Sequence, residues 1–105
     1  KDSSKAVLCS GFPSRFDFAS KSLEKSFEIY SQFGKVRMLG AASLSILQVA
    51  KGSADAYIER DIMTWDVAAA LAILQGAGGE FSIFPGRFEN SHNVFASNCL
   101  IELKK

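Results

Sequence analysis

The longest uninterrupted apolar run in this chain, Val67 to Leu74, is eight residues, with Trp65 and Asp66 before it and Gln75 after it. A bilayer span needs about 20 residues, so the run is too short to cross a membrane. Its Ala and Leu content favours a helix, and a helix that is apolar almost all round is buried on several sides. Thr64 stands where a hydroxyl caps such a helix, leaving Trp65 and Asp66 in its first turn. Gln75 is its last residue, and Gly76, Gly78 and Gly79 end it. A buried helix of this kind requires a layered core around it, with cover on more sides than a small sheet gives.

The rest of the chain supplies candidate layers. Lys5 to Phe12 reads as a strand closed by Gly11 and Pro13. From Ser20 or Ser22 to Phe33, the apolar residues Leu23, Phe27, Tyr30 and Phe33 recur at helical intervals, and Gly34 stops the pattern. Lys35 to Leu39 is a second strand. Ala41 to Lys51 is a helix with Leu44, Ile46 and Leu47 facing inward and Gly52 placed for a left-handed cap. Asp55 to Glu59 is a third strand, followed by a connecting loop from Arg60 to Met63. Glu80 to Phe84 and Asn93 to Ala96 are two further strands, joined by a turn-rich segment from Pro85 to His92. The tail from Leu100 to Lys105 carries too little pattern to assign. Strands alternating with helices predict one α/β domain, layered α/β/α. Its mixed, mostly parallel sheet has about five strands, with helices on both faces.

Composition fits a packed domain: 48% of the 105 residues are hydrophobic, including nine Phe, far from the signature of disorder. Twelve basic residues against eleven acidic ones leave a net charge of +1. The basic residues are scattered, which gives no electrostatic footprint for nucleic acid. Cys9 and Cys99 match no metal or redox spacing and read as reduced, buried thiols of a cytoplasmic protein. The chain opens on Lys1 rather than Met, as expected of a piece of a longer protein, and no cleavable signal pattern opens it.

Two carboxylates stand out. Glu59 leaves a strand and Asp66 opens the apolar helix. An acid in the first turn stays ionised, because unpaired N–H groups and the helix dipole favour negative charge there. An ionised oxygen ligand on a rigid element suits a hard divalent cation such as Mg²⁺. The plainer reading is an acid that stabilises its helix by about 0.3–1 kcal/mol and binds nothing.

The neighbouring segments stand in a telling order: Lys35-Val36-Arg37-Met38-Leu39-Gly40-Ala41-Ala42-Ser43, Gly52 to Glu59, Trp65-Asp66-Val67-Ala68-Ala69, and Gly76-Ala77-Gly78-Gly79. This order resembles the C-terminal half of the inositol monophosphatase family, Mg²⁺-dependent, lithium-sensitive phosphatases of inositol and sugar phosphates. The resemblance is densest from Lys35 to Glu80. It implies that Asp66 ligates metal near the leaving oxygen and that Glu59 accepts hydrogen bonds from substrate hydroxyls. It also implies that the backbone at Gly40, Ala41 and Ala42, above all Ala42, holds a substrate hydroxyl. Ala41 departs from the family, which often has Ser or Thr there; the hydroxyl is lost and the backbone donor kept.

Chains of the family are about twice as long, and their earlier half supplies a metal-binding Glu and an Asp-Pro-x-Asp-Gly-Thr segment. Neither Pro13 nor Pro85 follows Asp, so that segment is absent here. The resemblance therefore makes residues 1–105 the substrate-side domain, with no catalytic group of its own on this chain. It implies a missing N-terminal half as partner, a homodimer, and no activity for the chain alone. An adenosine 3′,5′-bisphosphate nucleotidase of the same superfamily is the alternative enzyme, and a non-catalytic dimerisation or folding module the alternative outside enzymes. Among the other residues, His92 reads as a solvated loop residue and Trp65 as a core anchor. Arg37 reads as half of an ion pair and Gly78-Gly79 as a turn rather than a phosphate cradle.

Overall fold

Eight principal elements follow one another in the structure, a computed structural model that describes residues 3–12 and 20–98. They are β1 (Val7–Ser10), α1 (Ser20–Tyr30), β2 (Lys35–Met38), α2 (Ala42–Ala50), β3 (Ala56–Met63), α3 (Thr64–Gly76), β4 (Glu80–Pro85) and β5 (Ser91–Ser97). Pro13, the side chain of Leu23, Cys99 and the tail lie outside the described residues.

The five strands form one sheet in the order β2-β1-β3-β5-β4. β1 pairs in parallel with β2 and β3, while β5 pairs antiparallel with β3 and β4. The sheet is mixed, as the alternation predicts. Its pairings divide evenly rather than being mostly parallel, because β4 and β5 are joined by a short turn instead of a helical crossover.

Period-two alternation sends successive strand residues to opposite faces. Leu8 and Ala56 point to one face, where Ala6, Phe33 and the α1 residues Ile29 and Tyr30 cover them. Cys9, Tyr57, Val94 and Ala96 point to the other. There Ile46 and Val49 of α2 and Val67, Ala70, Leu71 and Leu74 of α3 close the larger core. Helices thus cover both faces.

Three burial expectations need correction. Phe27 on α1 is 56% exposed, and Leu44 on α2 is 46% exposed; Ser45, with Ile46 and Val49, is the buried face of α2. The helix α3 is not buried on several sides within this chain. Only the stripe Val67, Ala70, Leu71 and Leu74 is buried, while Trp65, Ala68, Ala69, Ala72 and Ile73 are exposed. One sheet and one neighbouring helix can cover only one side of a cylinder, and hydropathy without a moment does not say which side.

Both long core helices end alike. Gly52, at φ 84°, follows the α2 cap Lys51, with Ser53 N–H donating to Gln48 O at 2.9 Å and Gly52 N–H to Val49 O at 3.1 Å. Gly79 N–H to Leu74 O and Gly78 N–H to Gln75 O repeat the pattern after α3 at 3.0 and 3.1 Å. These are Schellman motifs, which return the last carbonyls to hydrogen bonds. Gly78-Gly79 is therefore a turn, as expected. Among the described residues no helix is long and apolar enough to cross a membrane.

Candidate functional site

The chain crosses from β1 outward to β2 on one face, then returns over the opposite face to β3, so the winding reverses at β1. In open α/β sheets the crevice at the carboxyl ends of the strands, where the winding reverses, is the natural ligand site. A cleft of about 550 Å³ lies there. Gly40, Ala41, Ala42, Glu59 and Asp66 all line it, together with Ser10 and Gly11 from the end of β1 and Met38 from the end of β2. Residues from Ser10 to Asp66, far apart along the chain, are thereby brought to one place.

Glu59 lies on β3 and is only 7% exposed. The hydroxyl of Tyr57, two residues earlier on the same strand face, donates a 2.9 Å hydrogen bond to Glu59 Oε1. Burial pushes the Glu59 carboxyl above its usual range; the Tyr57 bond opposes that rise and the charge of Asp66 adds to it. Burial and the neighbouring Glu59 also push the Tyr57 phenol far up, so it stays a proton donor. A carboxyl raised on folding binds its proton more readily in the folded state. Stability is then greatest below the usual carboxylate range and falls as pH rises through the folded value. Glu59→Gln should therefore raise the thermal midpoint at neutral pH, and the gain should vanish in acid. Denaturation scans across pH check this; a lower midpoint at neutral pH would show that the ionised carboxylate is a net stabiliser.

Residues Arg60 to Met63 are not a loop. They continue β3 through a register shift between Glu59 and Ile62, where Asp61 takes φ 54°. The partners that hold this bulge come from distant sequence. Asp61 N–H donates to Asn93 Oδ1 at 3.0 Å, and the Asp61 carboxylate accepts from Arg87 N–H at 2.8 Å and from Arg87 Nε at 3.1 Å. The bulge carries the chain directly into α3. Thr64 does not cap that helix: Met63 is the N-cap, with no side-chain bond. The Thr64 hydroxyl instead donates to Asn90 O at 2.9 Å and meets His92 Nδ1 at 2.7 Å. A hydroxyl has one proton, so His92 supplies the proton of the second bond. Asp66 lies in the first turn of α3, as expected, and is exposed at the cleft.

The α2 start is equally open. Gly40 takes φ 81°, which a residue with a Cβ rarely adopts. Ala41 follows as an extended N-cap with φ −144° and ψ 122° and has no side chain able to cap. The first intrahelical donor is Ser45 N–H, 3.0 Å from Ala41 O. The N–H groups ahead of it have no partner inside the helix and are available to an oxygen in the cleft.

As for a metal, no three His, Cys, Asp or Glu side chains converge among the described residues. Asp66, an exposed oxygen donor on a helix start, fits one ligand position of a hard cation that takes six or more oxygens. Glu59, buried and tied to a phenol, fits an acceptor of hydroxyls better. These residues suit part of a metal site.

A family model described as "Inositol monophosphatase family" matches residues 2–104. The chain belongs to the inositol monophosphatase family. It is 33% identical over 101 residues to an inositol-1-monophosphatase of Caulobacter vibrioides, covering 91% of this chain and 37% of that protein. It is 36% identical over 87 residues to a fructose-1,6-bisphosphatase/inositol-1-monophosphatase of Thermotoga maritima, covering 81% of this chain and 33% of that one. Among solved structures, Mycobacterium tuberculosis SuhB matches with a TM-score of 0.80 at 28% identity, over 93% of this chain and 38% of that chain. The chain thus spans only about a third of the length of the curated relatives it matches, a smaller share than the half expected.

Within this inositol monophosphatase family chain, the other residues weighed from sequence fall outside the cleft lining. Trp65 is 67% exposed, not a core anchor, because it lies across the helix from the stripe that Val67 begins. His92 belongs to β5 and is bonded to Thr64 rather than solvated in a loop. Arg37 is exposed on β2 and makes no ion pair with a described residue; its charge draws the Cys9 thiol down against a larger upward push from burial. Cys9 is a free, buried thiol, as expected. Sequence reading missed Tyr57 and Gly11. The signal for Tyr57 was its two-residue spacing from Glu59, which puts both on one strand face.

Proposed function

We propose that the chain is the C-terminal, substrate-side portion of a Mg²⁺-dependent phosphomonoesterase that hydrolyses an inositol or sugar phosphate. The observation that carries this reading is the convergence of Glu59, Asp66 and the uncapped α2 start on one cleft. The family and its phosphatase relatives support the reaction class.

Asp66 would hold the cation beside the leaving oxygen, from its place in the first turn of α3. When bound, Mg²⁺ supplies the charge that activates water and neutralises the departing oxygen. Glu59 accepts substrate hydroxyls through a carboxylate that has about four acceptor sites and no donor. The Ala42 backbone N–H, with Gly40 and Ala41 shaping its approach, holds a further substrate oxygen. The remaining ligands and the catalytic groups come from the N-terminal half, which also packs against this portion. A free buried Cys9 suits a cytoplasmic setting.

A nucleotidase acting on adenosine 3′,5′-bisphosphate is disfavoured by Glu59, whose charge would repel a second phosphate. The exposed apolar residues Trp65 and Ile73 favour a second role, pairing with the N-terminal half or with another copy in a homodimer. In the complete protein, Glu59→Gln should weaken discrimination among polyol phosphates more than it slows hydrolysis of a plain aryl phosphate. Steady-state kinetics on both substrate types decide the matter, and equal losses would assign Glu59 to the metal site or the fold.

A further inference from the structure

Glu59 is held from two sides by residues that no charge pattern singles out. Tyr57 is fully buried, and its hydroxyl donates to Oε1 at 2.9 Å. From just past the end of the neighbouring strand β1, Gly11 approaches the same oxygen. A Cβ on Gly11 would stand 2.9 Å from Oε1 and 3.5 Å from the carboxylate carbon, and 4.0 Å from Oε2. Parallel pairing of Cys9 with Tyr57 and Ser10 with Ile58 brings the end of β1 beside Glu59, so this closeness is a product of the sheet register. No side chain larger than a hydrogen fits at Gly11 while the carboxylate keeps its place.

We propose that Tyr57 and Gly11 set the substrate specificity of the cleft as positioning residues, Tyr57 by committing Oε1 and Gly11 by leaving it room. Oε2 is then the oxygen presented to a vicinal hydroxyl of a polyol or sugar phosphate. This rests on the reading of Glu59 as a hydroxyl acceptor and goes beyond it. A glutamate has several rotatable bonds, and a carboxylate fixed before the substrate arrives avoids the ordering cost of binding. Tyr57 touches no substrate, since it is buried within the core.

The test compares Tyr57→Phe, Gly11→Ala and Glu59→Gln in the full-length protein that carries this chain. Substrates are an inositol monophosphate and 4-nitrophenyl phosphate, and crystal structures of the variants locate the Glu59 carboxylate. Tyr57→Phe keeps the ring and its packing, so it separates the hydrogen bond from the fold. The preference for the inositol ester, as a ratio of kcat/KM values, should fall roughly ten-fold, as for a lost hydrogen bond to a charged group. The loss should appear chiefly in KM. Gly11→Ala should lower the same ratio by moving the carboxylate from the other side. If Glu59→Gln keeps the full preference, the hydroxyl-acceptor reading fails and the proposal with it. If Glu59→Gln loses the preference while both positioning variants keep it, the proposal alone is overturned. A loss in Tyr57→Phe with the carboxylate unmoved would also overturn it.

Discussion

Asp66→Asn in the complete protein should cut turnover by about a hundred-fold or more while leaving the fold intact. The cation that Asp66 is proposed to hold supplies several kcal/mol of transition-state stabilisation, and each 1.36 kcal/mol is a factor of about ten in rate. The fold should survive for a local reason. Asp66 is exposed in the first turn of α3 and lies outside the buried stripe that packs the helix onto the sheet. Losing its charge removes a helix-dipole interaction of about 0.3–1 kcal/mol, and it also relieves the repulsion between Asp66 and Glu59. Asn keeps the shape but is a neutral, weaker ligand, so part of the loss should be recovered at high Mg²⁺. Kinetics as a function of Mg²⁺, with a thermal scan of each variant, checks both halves of the expectation. Wild-type activity at limiting Mg²⁺ would remove Asp66 from the metal site.

The purified 105-residue chain should hydrolyse nothing with Mg²⁺ present, and it should self-associate or bind the N-terminal half. The expected inactivity rests on the proposal that the remaining ligands and the catalytic groups come from the N-terminal half. Association follows from the outer side of α3, where Trp65 and Ile73 stand 67% and 55% exposed. Fully burying one large apolar side chain is worth about 1.5–3 kcal/mol, so a partner that covered both would gain several kcal/mol against the cost of association. Sedimentation across a concentration series should show species heavier than the monomer. Phosphate release should stay at the level of the buffer. A strict monomer with Mg²⁺-dependent activity would mean that the catalytic groups lie on this chain.

Sequence alone settled what depends on neighbouring residues. The order of strands and helices follows from local periodicity, and so do the helix stops at Gly52 and Gly78, where a left-handed residue is needed. The helix-start positions of Asp66 and of Gly40-Ala41-Ala42 were legible for the same reason. Only tertiary structure decided which faces are covered and what Glu59 touches. Arg60 to Met63 reads as a loop because nothing local marks a strand there; Asn93 and Arg87 hold its bulge from some thirty positions away. Thr64 reads as a cap until Asn90 and His92 claim its hydroxyl. Trp65 reads as core because it is large and apolar, yet helical geometry places it opposite Val67. The charge of Glu59 is visible in sequence. Its burial, its bond from Tyr57 and the room left by Gly11 arise only when β1 and β3 lie side by side, since such contacts depend on sheet register rather than chain proximity.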